Sequence, residues 1–563
     1  MPTPPLTVRD LAARHRLELR CEGSGADDGG DDGGADQPVL GVSLDSRRAG
    51  PGQLWAALPG EVTHGARFAT QALEAGAVAV LTDPEGAGLL ASVAGPGATC
   101  LLVSDSPRER LGPVAADVLG HPSRQLALVG VTGTNGKTTV STLVDELLRS
   151  LGATTGLIGT IRSRIGTEDL ASSFTTPEAP DLQHLLRRMV DAGCTAATTE
   201  VSSHALAQHR VDGTRFALVV FTNLSRDHLD FHGTLAGYFA AKLRLFTGRF
   251  APAAVVGVDD AWGREVAVAA REAGLRVLTV GTVTGPPGRR GTAPDVGVRV
   301  VRADASGTQR VELDGPFGEA GAPETLGVDL AMPGAFNAVN AALAIASVHL
   351  LLMPTGPVGL DDAPAVLPRP VAAREIAERV AALPGVPGRM ERVVLPGATH
   401  CPLVVVDYAH TPDAVAGAVA ALRHATPGRL VVVLGAGGDR DPGKRTAMGQ
   451  AASGADLVVI TDDNPRTEDP AAIRAAVLSG VTVERLEVGD RTEAVHVALS
   501  RCQGPSDTVL LAGKGHETGQ SVGGAVTPFD DRDVARAALT AWDADHPDSP
   551  HPSGAESAAE VQR

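Results

Sequence analysis

Short runs of valine, leucine and isoleucine alternate along the chain with longer alanine-rich stretches whose apolar residues recur at helical spacing. The runs lack polar alternation, which is typical of strands buried on both faces of a parallel sheet. They are AVAVLTD (77–83), LALVGVTG (126–133), ALVVFTN (217–223), AAVVGVDD (253–260), LVVVDYAH (403–410), LVVVLGAGG (430–438), DLVVITDD (456–463) and TVLLAGKG (508–515). The pattern predicts doubly wound α/β domains, with functional residues just after the strands, where each run turns polar or glycine-rich.

Three polar segments interrupt this pattern. Residues 22–37, the stretch 282–294 and the tail 543–563 are rich in glycine, proline or acidic residues and lack apolar periodicity. We expect the acidic segment to be a disordered loop, the second to be a flexible insert and the third to be a disordered tail.

Composition narrows the class of protein. A net charge of −17 over 563 residues argues against a nucleic-acid-binding surface. The amino terminus has no apolar core and the apolar runs are too short to cross a bilayer, so we expect a cytoplasmic protein without a membrane segment. The five cysteines lie far apart, without a metal-binding motif, and predict neither a disulfide framework nor a structural zinc site. They are Cys21, Cys100, Cys194, Cys401 and Cys502.

The chain contains only four lysines, Lys137, Lys242, Lys444 and Lys514, and its other basic residues are arginines. Arginine is permanently charged, whereas lysine can lose its proton and act as an amine. The four positions are therefore where we look first for chemistry.

The first lysine lies in a glycine-rich loop. LALVG (126–130) predicts a buried strand, GTNGKTT (133–139) a phosphate-binding turn, and the residues after it an amphipathic helix. Gly133 and Gly136 allow backbone N–H groups to surround phosphate oxygens at the helix N-terminus, and Lys137 adds a positive charge. Thr138 is placed to bind Mg²⁺ through its hydroxyl.

Acidic and histidine side chains follow two other predicted strands. Glu200 ends one strand, and Asp227, His228, Asp230 and His232 follow the strand that ends near residue 223. At the edge of the sheet that carries the phosphate loop, such ligands suit Mg²⁺. Taken singly, each of them is more readily explained as a surface or structural residue, and only their place at one sheet edge favours a metal site.

Lys242 occupies an apolar helix face. Leu235, Phe239, Lys242, Leu243 and Phe246 follow helical spacing, so we expect the lysine to be buried. Burial favours the neutral amine. Two readings stay open: a snorkelling lysine, or an amine that reacts with CO₂ to form a carbamate and so becomes a metal ligand.

A set of motifs in fixed order resembles the Mur ligases of peptidoglycan synthesis, and within them the members that add 2,6-diaminopimelate. The motifs cover about residues 40–535. They are LDSR (44–47), GTNGKTT (133–139), TTP (175–177), EVSSHALAQHR (200–210), FTNLSRDHLDFHGT (221–234), YFAAK (238–242), PGAFNAVNAALA (333–344), PGRME (387–391), DYAHTP (407–412), GGDRDPGKR (437–445), DNPR (463–466) and GKGHE (513–517).

The resemblance implies α/β architecture in three domains. These are a UDP-sugar-binding domain (1–124), a central P-loop ATPase domain (125–385) and a C-terminal Rossmann-like, amino-acid-binding domain (386–542), followed by the tail. It also implies an ATP-dependent, peptide-bond-forming ligase that uses UDP-MurNAc-L-Ala-D-Glu, diaminopimelate and ATP, with Mg²⁺, as a monomer without nucleic-acid or membrane partners.

The resemblance further implies roles for individual residues. The catalytic set is Lys137, Glu200, His228, Arg389 and Lys242 as an N6-carboxylysine, with Thr138, Glu200, His228 and Lys242 as metal ligands. ATP would contact Gly133, Thr134, Asn135, Gly136, Lys137, Thr138, Thr139, Asn337, Asn340, Asp407 and His410. The UDP-sugar dipeptide would contact Leu44, Ser46, Glu61, Val62, Thr63, Thr175, Thr176, Ser202, Gln208 and Arg210. Diaminopimelate would contact Arg440, Asp463, Asn464, Pro465, Arg466, Gly513 and Glu517.

Two rival functions share part of this pattern. A folylpolyglutamate synthase also has the phosphate loop and the modified lysine, but it lacks the LDSR and DNPR segments present here. A P-loop switch or motor ATPase would hydrolyse ATP without an amino-acid acceptor. The sequence does not distinguish meso- from LL-diaminopimelate, because both carry a carboxylate and an amine at the far end.

Overall fold

The chain folds around three separate sheets, each flanked by helices, as the computed structural model shows. The fold class predicted from the sequence, a three-part α/β architecture, is confirmed. The domain limits at residues 124 and 385 stay predictions. The structure describes residues 4–21, 34–60, 62–91, 99–170, 174–283, 293–303, 308–353, 365–383, 385–398 and 400–546.

The N-terminal sheet has the strand order β1-β5-β4-β3-β2, in which only β1 is antiparallel to its neighbour. Its core is made mainly of alanine, valine and leucine, with Trp55 fully buried. In chain order the elements are α1 (Val8–His15), β1 (Glu18–Cys21), β2 (Gly41–Ser43), β3 (Gln53–Ala57), α2 (Ala69–Glu74), β4 (Ala79–Thr82), α3 (Pro84–Ala91), β5 (Cys100–Val103) and α4 (Pro107–Val118).

The central sheet has eleven strands in the order β16-β15-β14-β13-β12-β11-β6-β10-β7-β8-β9. The strands from β14 to β7 pair in parallel, whereas β15 with β16 and β8 with β9 are antiparallel extensions at the two edges. The strands are β6 (Ala127–Thr132), β7 (Thr155–Ile158), β8 (Ser163–Ile165), β9 (Glu168–Leu170), β10 (Ala196–Glu200), β11 (Leu218–Phe221), β12 (Ala253–Gly257), β13 (Arg276–Thr282), β14 (Val296–Ala303), β15 (Gln309–Gly315) and β16 (Glu324–Leu330).

Helices cover both faces of the central sheet and form two apolar cores. The helices are α5 (Lys137–Ser150), α6 (Ala179–Asp191), α7 (Ser203–Ala207), α8 (Leu229–His232), α9 (Leu235–Leu243), α10 (Ala261–Glu272), α11 (Ala335–Leu352) and α12 (Ala373–Val380). By length and composition α11 would be able to cross a membrane, so the expectation that the apolar runs are too short to do so is wrong for this helix. Because 72% of it is buried in the protein, it is the core helix of this domain.

The C-terminal sheet has the order β17-β18-β22-β19-β20-β21 and is parallel except for β17. A separate hairpin of β23 and β24 follows it. The elements are β17 (Glu391–Val393), β18 (Leu403–Asp407), α13 (Pro412–Ala425), β19 (Leu430–Leu434), α14 (Arg445–Ala452), β20 (Leu457–Ile460), α15 (Pro470–Leu478), β21 (Glu484–Glu487), α16 (Arg491–Leu499), β22 (Thr508–Ala512), β23 (Gly519–Val522), β24 (Ala525–Pro528) and α17 (Asp531–Asp545).

All eight apolar runs form strands, but the antiparallel strands at the edges of the central sheet, which include the seven-residue β15 and β16, were not predicted. In β16 buried and exposed residues alternate, so one face packs on the core while the other faces solvent. A search for continuous apolar runs passes over this period-two pattern.

The expectation about cysteines was wrong for one pair. Cys21 and Cys100 lie opposite each other on the antiparallel strands β1 and β5 and form a disulfide. They are 79 residues apart in sequence, so only the sheet topology brings them together. Cys194, Cys401 and Cys502 are free. His400, Cys401 and Asp543 also lie close together, and His400 Nε2 is 2.8 Å from Asp543 Oδ1, a contact that joins the loop before β18 to α17.

The polar segments differ partly from expectation. Residues 22–33 and 284–292 lie outside the described residues, but 34–37 pack against α1, where the Val8 and Arg9 amides bond to the Gln37 and Ala35 carbonyls. The predicted tail begins too early, because α17 extends to Asp545 and buries Trp542. Residues 547–563 lie outside the described residues.

Candidate active site between the central and C-terminal domains

A cavity of about 910 Å³ lies between the carboxyl edges of the central and C-terminal sheets. Its walls include the phosphate loop, the ends of β10 and β11, the start of α11 and the polar segments after β18, β19, β20 and β22. Both sheets therefore present their strand ends to one space, as expected for α/β domains.

The phosphate loop joins β6 to α5, with Gly133 and Gly136 at φ values of 149° and 84°. A Cβ on Gly133 would lie 1.9 Å from Thr222 Oγ1, and one on Gly136 would lie 2.5 Å from Asn340 Oδ1. Only glycine meets both the backbone conformation and the close approach at these positions. The Asn135 amide donates to Asn223 Oδ1 over 3.0 Å, which ties the loop to the end of β11.

Two lysine amines converge on one carbonyl of this loop. Lys137 Nζ donates to Gly133 O over 3.0 Å, and Lys242 Nζ donates to the same oxygen over 2.7 Å. Lys242 is 1% exposed, as its helix pattern predicts, and lies 4.5 Å from the centre of the Tyr238 ring. Burial, and then the Lys137 ammonium, hold the pKa of Lys242 well below its usual range. The site therefore favours the neutral amine at Lys242.

Glu200 ends β10 and is 1% exposed beside the loop. Its Oε2 accepts from the Thr138 and Thr160 hydroxyls, each over 3.0 Å, and its Oε1 accepts from the Thr160 amide over 2.8 Å. A carboxylate and a hydroxyl held together are hard oxygen donors, which fit Mg²⁺. Thr160 was not identified from the sequence, although its position just after β7, the neighbour of β10, is a usable signal.

The loop after β11 carries Asp227 and His228 into the cavity wall. His228 has a left-handed backbone, and its imidazole lies 4.7 Å from that of His204 and 6.1 Å from the Tyr238 ring. Asp227 contacts the other domain, with its carboxylate 3.9 Å from both Lys444 Nζ and His410 Nε2. Lys444 therefore lies at the domain interface, a role that the sequence did not specify.

Arg389 is the most direct link between the domains. It belongs to the C-terminal side, yet its Nη2 donates to Thr138 Oγ1 of the phosphate loop over 3.1 Å. Its guanidinium lies 4.4 Å from the centre of the Tyr408 ring. Asp407 accepts from the Met390 amide over 2.7 Å, and burial raises its pKa against the opposing effect of Arg389. These contacts fix the arginine beside the loop.

A second group of the predicted residues lines the C-terminal wall. Arg440, Asp463, Asn464, Arg466, Gly513 and Glu517 all face the cavity. Arg466 has a left-handed backbone, with its amide bonded to the Ser521 carbonyl of β23 and its guanidinium bonded to the Gly438 carbonyl. Asn464 Nδ2 donates to Glu517 Oε2 over 2.8 Å.

Residues from the central domain complete the opposite wall. Thr176 bonds to the Glu200 carbonyl and the Ser202 amide, and Arg210 bonds to the Thr176 carbonyl. The other predicted residues in the cavity wall are Thr134, Asn135, Gly136, Lys137, Thr139, Thr175, Gln208, Asn337, Asn340, Asp407 and His410.

Some predicted residues lie elsewhere. Four residues predicted to contact the UDP-sugar dipeptide do not line the cavity: Leu44, Ser46, Val62 and Thr63. The Ser46 hydroxyl bonds to Gln71, and Val62 is 97% exposed. Glu61 lies outside the described residues. Pro465 and Gly133 also do not line the wall, although the Gly133 carbonyl holds both lysines. Tyr238 and Tyr408 do line it, and no role was predicted for either, although both lie within motifs of the resemblance.

Three family descriptions match successive parts of the chain. They are the Mur ligase family catalytic domain at residues 38–103, the Mur ligase middle domain at 131–348 and the Mur ligase glutamate ligase domain at 388–515.

Full-length relatives are similar along nearly the whole chain. Two proteins named UDP-N-acetylmuramoyl-L-alanyl-D-glutamate--2,6-diaminopimelate ligase, from Streptomyces coelicolor and Corynebacterium glutamicum, are 44% and 43% identical. The first match covers 96% of this chain and 98% of the relative, and the second covers 90% and 92%.

Solved structures of similar fold include a ligase of the same name. That structure is 31% identical in sequence and has a TM-score of 0.62, and the match covers 95% of this chain and 99% of the solved chain. A Mycobacterium tuberculosis folylpolyglutamate synthase has a TM-score of 0.53 at 23% identity over 76% of this chain and 93% of its own, a likeness of fold alone.

Gly133→Ala tests the phosphate loop. A Cβ at φ 149° would collide with Thr222, so we expect the loop to shift and ATP to bind roughly tenfold or more weakly. A fluorescent ATP analogue measures this affinity. Gly248→Ala is the control, because a Cβ there meets only Ala273 O at 3.6 Å. Equal affinity in Gly133→Ala and wild type would contradict the role of the loop.

Proposed function

This chain belongs to the Mur ligase family, and from that premise we propose how its cavity performs the reaction. The chain is an ATP-dependent ligase of peptidoglycan synthesis that adds 2,6-diaminopimelate to UDP-MurNAc-L-Ala-D-Glu. The observation that carries the assignment of the active site is the meeting of two sheet edges at one cavity, with Arg389 of one domain bonded to Thr138 of the other.

The reaction needs an activated carboxylate, because an amine does not displace oxide from a carboxylate. The γ-carboxylate of D-glutamate attacks the γ-phosphorus of ATP, a carboxyl oxygen–phosphorus bond forms and ADP leaves. The diaminopimelate amine then attacks the acyl carbon, the bond to the phosphate breaks, and the amine gives up a proton to solvent. Anions gather in both steps, and Lys137 and Arg389 offset that charge.

Mg²⁺ fits the donors on the central side of the cavity. Thr138 and Glu200 would hold it near the phosphate loop, with His228 and a modified Lys242 as further ligands. When bound, Mg²⁺ supplies positive charge that offsets the phosphate and acyl oxygens.

Lys242 is proposed to act as a carbamate. Its neutral amine would attack CO₂, forming a nitrogen–carbon bond and losing a proton to solvent, so that a buried cation becomes a carboxylate-like ligand. Two observations support this proposal. The Lys242 amine is buried, and the carbonyl oxygen that accepts its hydrogen bond, Gly133 O, also accepts one from Lys137. Arginine does not form such an adduct at this position, which accounts for the lysine.

The C-terminal wall is proposed to select diaminopimelate. Arg466 offers a fork for the far-end carboxylate, and Glu517 an acceptor for the far-end ammonium. Lysine lacks that carboxylate and would leave the half-buried guanidinium without an anion, which lowers its affinity relative to diaminopimelate. Asp463, Asn464, Pro465, Gly513 and Arg440 would complete the pocket. We also propose that the N-terminal residues Leu44, Ser46, Glu61, Val62 and Thr63 contact the uridine end of the precursor.

The enzyme is proposed to work in the cytoplasm as a monomer, without a nucleic-acid or membrane partner. The net charge of −17 supports the absence of nucleic acid. Among the described residues, the one helix long and apolar enough to cross a membrane is α11, which packs in the core of the central domain; this supports the proposal that the enzyme has no membrane partner.

Phosphate release tests the function directly. We expect release only when ATP, Mg²⁺, UDP-MurNAc-L-Ala-D-Glu and diaminopimelate are all present, with meso-diaminopimelate, LL-diaminopimelate and L-lysine compared in parallel. Release without an amino acid would favour a P-loop ATPase of another kind. Release with a folate and glutamate instead would favour a folylpolyglutamate synthase.

Lys242→Ala tests the carbamate. We expect turnover to fall by about 10²–10³-fold or more while ATP still binds, and added short carboxylates to restore part of it. Lys242→Arg keeps the charge and is expected to be equally inactive, without rescue. Steady-state phosphate release measures the turnover of both variants and its rescue by carboxylates. The fluorescent ATP analogue measures ATP binding. Normal turnover in Lys242→Ala would contradict the role.

Arg466→Ala tests selection of the amino acid. We expect the preference for diaminopimelate over L-lysine, as a ratio of kcat/KM values, to fall by about 100-fold. Arg501→Ala, which removes an exposed charge from the same domain, is the control. An unchanged ratio in Arg466→Ala would remove this residue from the pocket.

A further inference from the structure

Lys514 is a fully buried lysine beneath the C-terminal wall of the cavity. Its Nζ donates to the Gly519 carbonyl over 2.7 Å and to Asn464 Oδ1 over 3.2 Å. It lies 3.4 Å from Asp463 Oδ1 and 3.7 Å from Glu517 Oε2. One ammonium thus joins the segment after β20, the segment after β22 and the first residue of β23.

The same network reaches both ends of the proposed amino-acid pocket. Asn464 accepts from Lys514 and from the Ser521 amide of β23, and donates to Glu517. The Ser521 carbonyl in turn accepts from the Arg466 amide. Lys514 therefore contacts Glu517 directly. Through Asn464 and β23 it is also linked to the backbone of Arg466.

Charge balance gives Lys514 a second effect. Burial and the neighbouring Asp463 carboxylate raise the pKa of Glu517, and Lys514 opposes them. The other charged and titratable groups that face Glu517 are Asp463, Arg466, Arg491 and Tyr408, whose hydroxyl is 3.5 Å from Glu517 Oε1. Arg491 is already paired with Asp531 through two bonds and donates to the Ala512 carbonyl, so its charge is committed elsewhere.

We propose that Lys514 is a positioning residue for the amino-acid substrate, which holds the Glu517 carboxylate towards the far-end ammonium and fixes the DNPR segment against β23. Lys514 does not touch the reacting atoms, and it acts through Glu517 and Asn464. This proposal rests on the function proposed above, because it requires that Glu517 receives diaminopimelate.

Lys514→Met and Lys514→Gln test the proposal, since the first removes the charge at similar length and the second keeps a hydrogen-bond donor. We expect both to raise the KM for diaminopimelate by about tenfold or more, with KM values for ATP and UDP-MurNAc-L-Ala-D-Glu within about twofold of wild type. The acid limb of kcat/KM for diaminopimelate should move to higher pH, because Glu517 then ionises less readily. Arg501→Ala is again the control.

A double-mutant cycle shows whether Lys514 acts through Glu517. In a Glu517→Gln background we expect Lys514→Met to raise the KM for diaminopimelate by a smaller factor than it does in the wild-type background, because the part of its effect that passes through Glu517 is already lost. Fully multiplicative effects, or an unchanged KM and acid limb in Lys514→Gln, would overturn the proposal.

Exchange of labelled ADP into ATP, dependent on UDP-MurNAc-L-Ala-D-Glu alone, reports acyl-phosphate formation and hence folding. Loss of this exchange in both Lys514 variants would assign the residue to the core and would also overturn the proposal. Failure of wild type to release phosphate with diaminopimelate would instead refute the proposed function, so the two failures are distinguishable.

Discussion

Two lysine amines share the carbonyl oxygen of Gly133 in a buried loop, and most of the site follows from that arrangement. Two ammonium groups held so close in a site of low dielectric repel each other, and burial penalises each charge. The arrangement is stable when one amine is neutral or when anions enter. A phosphate loop with ATP supplies anions beside Lys137, and a carbamate would turn Lys242 into one.

The balance between the positive groups of the site and the anions proposed to enter it also accounts for a site that spans two domains. The central sheet alone offers Lys137, Glu200 and the loop amides, the groups proposed to hold the nucleotide. Arg389 brings a further permanent cation to Thr138, and Lys444 and His410 approach Asp227 from the same side. The cavity thus receives further positive charge from the C-terminal domain, which is proposed to bind the amino acid. Such a division suits a ligase, because both domains then place positive charge where phosphoryl transfer is proposed to occur.

Sequence patterns predicted the parallel cores and much of the cavity, because buried strands and glycine turns depend on local residues. Lys242 was predicted to be buried from helical spacing alone, and the structure agrees. The strands β14, β15 and β16 were not predicted, since their alternation of apolar and polar residues gives a weaker signal than a continuous apolar run. The Cys21–Cys100 pair and the Lys514 network depend on contacts between segments distant in sequence, which only the assembled sheets define. Thr160, Tyr238 and Tyr408 were missed because their neighbours, rather than their residue types, place them in the site.

The central claim is that the buried amine of Lys242 becomes an anion. Carbon-13 NMR of the protein equilibrated with ¹³C-bicarbonate tests it most directly, with Lys242→Arg as the matched control. The account predicts a carbamate resonance in the wild-type protein that is absent from Lys242→Arg. A wild-type spectrum without that resonance, from enzyme that is turning over under the same conditions, would contradict it.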